Sequence, residues 1–364
     1  MYQDFFSNKK VLITGHTGFK GSWLSIWLNA LNAEVYGLSI DKVSNPSNYE
    51  VSKVSSFTEE FFVDIRDYET TDKIIKQTEP DVIFHLAAQA LVAESYSNPI
   101  ETIQTNALGS ANILESLRSY NKKIAVVMIT SDKAYDNVEW VWGYRETDTL
   151  GGKDPYSASK GMAELAIKSY LNSFILNKKE NLNVGIARAG NVIGGGDWAE
   201  NRLVPDSMKA WSCGEEVLVR SPNSTRPWQH VLEPLSGYML LAKKLYENDS
   251  INGEAFNFGP SLEHNYSVVD LLKEMTKYWE NISWRDISED NSFFHEAGLL
   301  KLNCDKALSY LNWQSVLTFQ ETVKLTVEWY RNFYAKGAGI DKLALSQIKE
   351  YANIAKQKNA DWLL

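Results

Sequence analysis

A glycine-rich segment near the start constrains this chain more than any other part of its sequence. Residues 11–14 (VLIT) form a short apolar run typical of a buried parallel strand, and apolar residues recur at helical spacing over residues 19–31. Between them, GHTGFKG at residues 15–21 has a glycine at every third position. Glycines at a strand-to-helix turn let the backbone approach a pyrophosphate, which the helix N-terminus stabilises. The segment therefore predicts a dinucleotide-binding loop.

Two other interpretations of this loop are weaker. A phosphate-binding loop of the nucleoside-triphosphatase type requires Gly-Lys followed by Ser or Thr, whereas here Lys20 precedes Gly21 and Ser22 follows it. A tight turn without a ligand would not need a strand before it and a helix after it. The context therefore favours a dinucleotide.

Strand and helix patterns alternate along the first half of the chain. Further strands are predicted at residues 34–40, 61–63, 82–85, 124–130 and 184–187. Helices are predicted at residues 68–77, 100–120 and 157–176. This alternation predicts an α/β fold with a doubly wound parallel Rossmann sheet.

The pattern changes in the second half, where glycine, proline and tryptophan become dense, as in GGGDW at residues 194–198. We therefore predict a Rossmann domain over residues 1–190, which can take back later elements. A smaller, mainly substrate-binding domain is predicted over residues 191–338. A polar helical tail of unknown purpose is predicted over residues 339–364.

Composition limits the partners. The formal charge of −9 argues against nucleic acid, because phosphate contacts need a basic surface. Two cysteines, Cys213 and Cys304, are too few for a disulfide framework, and no apolar run has membrane-spanning length. Residues 1–10 do not resemble a signal peptide, so we expect a cytoplasmic protein without a membrane partner. The five histidines show no ligand spacing, and no metal is expected.

An acidic residue at the end of the second predicted strand indicates the kind of dinucleotide. Asp41 lies twenty residues after Gly21. A carboxylate there accepts hydrogen bonds from the adenosine ribose and repels a 2′-phosphate, which favours NAD over NADP. The neighbouring Lys42 acts in the opposite direction.

Tyr156 and Lys160 form a Y-x-x-x-K pair in a predicted helix. Residues four apart share a helix face, so the phenol and the ammonium point into one cleft. A tyrosine titrates near pH ~10, and a nearby positive charge favours its phenolate. We expect Lys160 and an oxidised nicotinamide to supply that charge, so that Tyr156 can remove a hydroxyl proton during hydride transfer.

The loop and the Y-x-x-x-K pair resemble the extended short-chain dehydrogenase/reductase family. Longer strings are similar to the sugar-nucleotide 4,6-dehydratases of that family, in particular those that act on CDP-glucose. These strings are GHTGFKGSWL at 15–24, SDKAYDN at 131–137, WVWGYRE at 140–146, ARAGNVIGGGDW at 187–198 and RPWQHV at 226–231. The resemblance covers nearly the whole chain. It implies NAD as cofactor, CDP-glucose as substrate, and a homodimer or homotetramer with residues 100–120 and 157–176 at the dimer seam.

The resemblance also implies catalytic roles for three consecutive residues. Ser131 would hydrogen-bond the reacting hydroxyl, Asp132 would protonate the departing C6 hydroxyl, and Lys133 would remove the C5 hydrogen. The dTDP-glucose dehydratases have Asp-Glu where this chain has Asp-Lys. A lysine base needs a pKa well below ~10.4, through burial or nearby cations. Tyr135 and Glu139 therefore remain alternative bases.

The binding residues follow from the same resemblance, together with the loop. Those expected at the cofactor are Gly15, Thr17, Gly18, Phe19, Lys20, Gly21, Asp41, Asp64, Ile65, Leu86, Ala87, Ala88, Gln89, Asn106, Tyr156 and Lys160. Those expected at the substrate are Asn191, Leu203, Arg226, Asn257 and His295. Arginine offers a planar fork of donors that suits a diphosphate.

These residues predict a redox-neutral reaction in which C4 is oxidised, water leaves across C5 and C6, and hydride returns to C6. The product would be CDP-4-dehydro-6-deoxyglucose. A 4,6-dehydratase or 4-epimerase acting on another nucleotide sugar is the alternative within enzymes, and the Asp132–Lys133 pair argues against the epimerase. A non-catalytic NAD-binding regulator is the alternative outside enzymes, although such proteins typically lose the tyrosine or lysine that this chain retains.

Overall fold

The central feature of the molecule is a sheet of seven parallel strands. The computed structural model describes residues 2–42, 44–176, 180–263, 265–280, 282–288 and 299–360. The strands are β1 Lys10–Thr14, β2 Glu34–Ser39, β3 Thr58–Phe62, β4 Val82–His85, β5 Ile124–Ile129, β6 Leu182–Arg188, β7 Val192–Ile193, β8 Val217–Val219, β9 Thr225–Arg226, β10 Gln229–His230, β11 Ala255–Asn257, β12 Tyr266–Ser267 and β13 Trp284–Asp286.

Helices connect these strands. They are α1 Tyr2–Phe6, α2 Phe19–Ala30, α3 Asn48–Val51, α4 Tyr68–Thr78, α5 Val92–Ser97, α6 Pro99–Ile103, α7 Gly109–Leu117, α8 Pro155–Tyr170, α9 Leu203–Ser212, α10 Leu232–Glu247, α11 Val268–Met275, α12 Asp305–Leu311, α13 Phe319–Lys336 and α14 Ile340–Gln357. Short 3₁₀ turns lie at Val54–Ser56 and Asp132–Ala134, and π-helical turns at Gln104–Leu108 and Leu171–Ile175.

The strand order β11-β6-β5-β4-β1-β2-β3 is that of a Rossmann sheet, which confirms the predicted fold class. Helices α2 and α10 cover one face, and α4, α7 and α8 cover the other. Every residue of β5 is buried, as expected for a strand covered on both sides. The order reverses between β1 and β4, and ligands of such sheets bind where the loops diverge at that point.

Two strands differ from the expectation. β3 begins three residues before the predicted 61–63, because an edge strand tolerates the exposed Glu59. β11 is a late strand that pairs with β6, with Phe256 opposite Ala187. The sheet therefore takes back a strand from the second half of the chain.

The C-terminal helix α14 is amphipathic rather than merely polar. Ile340, Ala344, Ile348, Tyr351 and Ala355 are buried at helical spacing. The ring of Tyr351 lies edge-on to Trp27 of α2, with centroids 5.6 Å apart. This helix therefore completes one wall of the main core.

A buried carboxylate on α10 links these elements and predicts a pH-dependent stability. Glu233 is 1% exposed, accepts hydrogen bonds from the backbone N–H groups of Val316 and Leu317, and accepts one from the hydroxyl of Tyr351. Burial raises the pKa of Glu233 to about 7, although these hydrogen bonds lower it. A raised folded-state pKa means that the contribution to stability is fully present below the unfolded pKa of ~4.3 and is lost as pH rises through about 7.

We therefore expect Glu233→Gln to remove part of this pH dependence. Relative to the native chain, the variant should gain about 3 kcal/mol in unfolding free energy between pH 5 and pH 8. Denaturant unfolding at several pH values measures this difference. Parallel stability profiles for the two proteins would contradict it.

Two further observations concern possible partners. Among the helices of the described residues, none is long and apolar enough to cross a membrane. Over the same residues, no group of three or more His, Cys, Asp or Glu side chains is arranged to hold a metal.

Candidate active site

The loop after β1 has a conformation that only glycine allows. Gly15 has a φ of +78°, and a Cβ there would lie 2.8 Å from the backbone N of Ala87. A Cβ on Gly21 would lie 2.0 Å from the carbonyl oxygen of Gly15. Gly18 is the N-cap of α2 and provides no side-chain cap. The tight loop and the uncapped helix N-terminus therefore suit the pyrophosphate of a dinucleotide.

The loop after β4 lies beside this glycine loop and is held by Asn106. The backbone N–H of Gln89 donates to Asn106 Oδ1 at 2.8 Å, and Asn106 Nδ2 donates to the carbonyl of Gln89 at 3.0 Å and to Ser159 Oγ at 2.8 Å. Asn106 is 2% exposed and lies in the π-helical turn Gln104–Leu108. Such turns are frequent at functional sites. Asn106 thus fixes the 86–89 loop relative to α8.

The predicted adenosine-side residues follow β2 and β3. Asp41 is exposed, and its carbonyl accepts a hydrogen bond from Thr17 Oγ1 at 2.7 Å. Lys42 pairs with Glu50 at 2.7 Å, which directs its ammonium away from a role as phosphate ligand. Asp64 accepts from Arg66 Nε at 2.7 Å, so its carboxylate is already engaged.

Helix α8 presents Tyr156 and Lys160 on one face. The helix begins at Pro155 because Asp154 caps it, accepting from the Ser157 N–H at 2.9 Å. Tyr156 and Lys160 are 8% and 6% exposed, and Lys160 Nζ lies 5.9 Å from the Tyr156 ring centroid. The predicted pair is therefore brought together in the fold.

Burial governs the protonation of this pair in the chain alone. Burial raises the pKa of Tyr156 to about 12, and the opposing effects of a hydrogen bond with Ser131 and of the charge on Arg202 are smaller. Burial, assisted by repulsion from Lys20, lowers the pKa of Lys160 to about 8. The expected activation of Tyr156 by Lys160 together with an oxidised nicotinamide stays a prediction. Desolvation outweighs the cations of the chain, so activation of Tyr156 requires charge from a bound cofactor.

The turn after β5 carries the other predicted catalytic residues. Ser131 Oγ donates to Asp132 Oδ1 at 2.9 Å and accepts from the Lys133 N–H at 3.2 Å. Asp132 is 5% exposed, whereas Lys133 is half-buried. Because Ser131 also hydrogen-bonds Tyr156, the turn and α8 meet at one point.

Gly190 is a residue of this site that was not predicted from the sequence. A Cβ at this position would lie 1.8 Å from Asp132 Oδ2, so only glycine leaves room for the carboxylate. The signal available in the sequence was its position directly before Asn191 in the segment ARAGNVIGGGDW at residues 187–198. Gly190 thus fixes the wall against which Asp132 lies.

Lys20 lies closer to the catalytic residues than its place in the glycine loop indicates. Lys20 lies in the first turn of α2. Three residues later in this helix, Trp23 Nε1 donates a hydrogen bond to the carbonyl of Gly195 at 2.8 Å. Burial lowers the pKa of Lys20 to about 8, while attraction by Asp132 raises it. The ammonium is thus within electrostatic reach of Asp132 as well as of the dinucleotide loop.

Asp132 opens onto a small cavity. Its lining includes Asn191, Pro227, Gly259 and Lys301. Lys301 was not predicted from the sequence, where a lone lysine in the LLKLN segment carries no signal. This cavity therefore adjoins the turn that carries Asp132.

The residues predicted to bind the substrate lie in different surroundings. Asn191, with a φ of +51°, lines the cavity, Leu203 begins α9, and Arg226 lies in β9 with Nη1 on the Thr225 carbonyl. Within the described part of the chain, Asn191 thus lines the cavity, whereas Leu203 and Arg226 are not among its lining residues. His295 lies outside the described residues.

Asn257 does not reach the cavity. It is 0% exposed, and its Oδ1 accepts from the Tyr135 hydroxyl at 2.8 Å. Its Nδ2 donates to the carbonyls of Tyr144 and Asn303 at 2.8 and 3.0 Å. A direct bond to the substrate would break these contacts, so the structure gives Asn257 a supporting place instead.

Comparisons with known proteins found relatives that are named as enzymes of nucleotide sugars. The CDP-glucose 4,6-dehydratase of Salmonella typhimurium is 45% identical over 333 residues, covering 90% of this chain and 92% of that protein. The UDP-glucose 4-epimerase of Mycoplasma genitalium is 25% identical, covering 89% and 97%. The crystal structure of a dTDP-glucose 4,6-dehydratase from Bacillus anthracis in complex with NAD has a TM-score of 0.73 at 20% identity, covering 88% and 96%.

The sequence model of a family described as GDP-mannose 4,6 dehydratase matches residues 12–326. This match and the relative at 45% identity confirm the predicted resemblance to sugar-nucleotide dehydratases. The chain belongs to the GDP-mannose 4,6 dehydratase family.

Proposed function

We propose that this chain is an NAD-dependent hydro-lyase that converts CDP-glucose to CDP-4-dehydro-6-deoxyglucose. The observation that carries the proposal is the buried carboxylate of Asp132, hydrogen-bonded to Ser131 beside Tyr156 and open to a cavity. An oxidation of C4 alone needs no such acid. Among related proteins, the 45% identity to the Salmonella CDP-glucose 4,6-dehydratase supports CDP-glucose as the substrate.

The cofactor proposal rests on the glycine loop and on the residues around it. The turn at residues 15–21 and the N-terminus of α2 would hold the pyrophosphate, Asp41 the adenosine ribose, and the 86–89 loop the nicotinamide side. The NAD complex of the Bacillus anthracis dTDP-glucose dehydratase supports the same choice. NAD, when bound, takes hydride from sugar C4 and later returns it to C6.

The side chains supply the proton transfers. Tyr156, deprotonated under the charge of the bound cofactor, takes the O4 proton as C4 becomes a ketone. The ketone acidifies the C5 hydrogen, which Lys133 removes as a proton. Asp132 protonates the departing C6 hydroxyl, so that water leaves and a C5–C6 double bond forms. Return of hydride to C6 and of a proton to C5 would then give the product.

Lys133 is the preferred base over the alternatives that the sequence leaves open. Tyr135 is 1% exposed, accepts from Arg188 Nη1 at 2.6 Å and donates to Asn257, and burial raises the pKa of its hydroxyl. A phenol so engaged is poorly suited to collect a proton from the sugar. Glu139 lies six residues beyond Lys133, with a backbone φ of +57°. The half-buried Lys133, adjacent to Asp132, remains the base in this proposal.

A direct assay tests the proposal. The chain, supplied with NAD, is incubated with CDP-glucose, and strong base is added to develop the absorbance of a 4-keto sugar. Parallel reactions with dTDP-glucose, UDP-glucose and GDP-mannose test the nucleotide. A CDP-galactose product without ketone would indicate a 4-epimerase, and tight NAD binding without turnover of any nucleotide sugar would indicate a regulator.

Cofactor choice gives a separate prediction. The chain should prefer NAD over NADP because the Asp41 carboxylate repels a 2′-phosphate, and Asp41→Ala should narrow this preference. Activation of the cofactor-stripped enzyme by each dinucleotide measures it. Lys42→Ala is the matched control, because Lys42 already pairs with Glu50. Equal activation of the unaltered enzyme by both dinucleotides would contradict the role of Asp41.

The oligomer and the domain limits belong to the same proposal. Ile100, Leu108, Met162 and Leu165 are 67%, 50%, 42% and 60% exposed on the α6–α8 side. Apolar side chains grouped in this way support a homodimer seam on these helices, with a homotetramer as the larger alternative. The proposal keeps residues 191–338 as mainly substrate-binding, apart from the elements that join the sheet, whereas α14 in the predicted tail packs against the main core.

A further inference from the structure

A fully buried ion pair lies directly behind the proposed catalytic residues. Glu164 is on α8, one turn beyond Lys160, and Arg188 is the last residue of β6. Both side chains are 0% exposed. Arg188 Nε donates to Glu164 Oε1 at 2.6 Å, and Arg188 Nη2 donates to Glu164 Oε2. Neither residue is needed for any proton transfer in the proposed reaction.

This pair contacts both ends of the catalytic turn. Immediately before Ser131, Thr130 Oγ1 donates to Glu164 Oε1 at 2.7 Å. Two residues after Lys133, Tyr135 Oη accepts from Arg188 Nη1 at 2.6 Å. The turn is therefore held at its start by the carboxylate and at its end by the guanidinium of one ion pair.

The end of the turn is held further by packing. The Arg188 guanidinium lies 4.6 Å from the Tyr135 ring centroid, and the Tyr144 ring stacks on Tyr135 with centroids 5.0 Å apart. The Tyr135 hydroxyl also donates to Asn257 Oδ1 at 2.8 Å. The ring and the hydroxyl are thus fixed together, and a small shift of Arg188 would move the turn that carries Asp132.

We propose that Glu164, Arg188 and Tyr135 are positioning residues that keep the turn bearing Asp132 in register with the helix bearing Tyr156. The inference rests on the proposed function, because it concerns the alignment of the elimination groups with the oxidation groups. Glu164 follows Tyr156 and Lys160 at the same four-residue spacing. Its contact with Thr130 therefore transmits the position of α8 to the turn.

Stability alone does not account for this arrangement. Burying two charges removes them from water, and apolar residues of similar volume often stabilise a fold at least as well. What a buried pair provides instead is one defined geometry, because each charge must meet its partner. Here the geometry so defined is that of the Ser131–Lys133 turn.

Tyr135→Phe tests the proposal, because it removes the hydroxyl and keeps the stacked ring. Stopped-flow absorbance in the NADH band follows C4 oxidation, and the base-induced 4-keto absorbance follows product. We expect oxidation within about twofold of the unaltered enzyme and product formation slowed roughly tenfold or more, so that NADH accumulates. The KM for CDP-glucose should change little.

Tyr120→Phe is the matched control. Tyr120 is 6% exposed, and its hydroxyl donates to the Pro80 carbonyl at 2.9 Å, away from the catalytic turn. Loss of this buried hydroxyl should leave both rates unchanged. If Tyr135→Phe shows no accumulation of NADH and behaves as Tyr120→Phe does, the positioning role is overturned.

Two further measurements distinguish a loss of positioning from misfolding and from a failure of the proposed function. Thr130→Val acts at the other end of the turn and should give the same accumulation, whereas Glu164→Gln should slow both steps if it folds. Hydrogen exchange without substrate should be faster over residues 131–135 in Tyr135→Phe than in Tyr120→Phe. If the unaltered chain does not convert CDP-glucose, the proposed function fails, and unchanged exchange in this segment would then overturn the positioning role independently.

Discussion

In the Tyr156→Phe variant, oxidation at sugar C4 should slow by ~10²-fold or more while cofactor binding changes little. The substitution keeps the ring but removes the group that takes the O4 proton. Burial holds the pKa of Tyr156 at about 12, so the phenol needs the positive charge of the bound cofactor to lose its own proton before it can accept the one from O4. Single-turnover absorbance in the NADH band measures the oxidation, and fluorescence titration measures cofactor binding.

The control for this variant is again Tyr120→Phe, which removes a buried phenolic hydroxyl far from α8. It should retain the rate of the unaltered enzyme. Near-normal turnover of Tyr156→Phe would remove the central role given to this residue. A large loss of cofactor binding in the same variant would instead assign Tyr156 to the dinucleotide site.

Asp132→Asn should separate oxidation from elimination. Asparagine keeps the size of the side chain and most of its hydrogen bonding but cannot transfer the acidic proton. Addition of CDP-glucose should therefore still produce absorbance in the NADH band. The 4-keto product should form ~10²-fold more slowly, because the C6 hydroxyl leaves with little acid assistance. Gly190 leaves just enough room for this side chain, so Asn is the substitution least disturbing to the wall.

A second substrate tests the same separation of oxidation from elimination. CDP-6-deoxy-6-fluoroglucose carries a leaving group that needs less protonation, so it should rescue Asp132→Asn more than Tyr156→Phe. If Asp132→Asn instead blocks oxidation as completely as Tyr156→Phe, Asp132 serves in positioning or oxidation. The dehydratase proposal would then lose its most discriminating residue, and the 4-epimerase alternative would gain.

Local patterns in the sequence were sufficient for the parts of the site that depend on one element. The spacing of Gly15, Gly18 and Gly21 specifies a turn that the structure contains, and the four-residue spacing of Tyr156 and Lys160 places both on one face of α8. The apolar runs identified six of the seven central strands, although β3 was displaced at the sheet edge. Each of these features requires only residues that are close along the chain.

The protonation states of Tyr156 and Lys160 could not be predicted from the local spacing of residues. A lysine four residues from a tyrosine predicts a lowered tyrosine pKa, yet burial raises the pKa of Tyr156 to about 12 and lowers that of Lys160 to about 8. Desolvation depends on how many atoms from other elements surround a group, and that is unknown until the chain is folded.

The sequence by itself determined the dinucleotide loop, the Tyr156–Lys160 pair and the turn at Asp132, because each is formed by residues that are close together along the chain. Only the tertiary structure decided what surrounds them. Asn257 meets Tyr135 across 122 positions of sequence, and Arg188 meets Glu164 across 24. No local periodicity specifies such pairs, because they form only when β5, β6, β11 and α8 come together and exclude water from the polar groups between them.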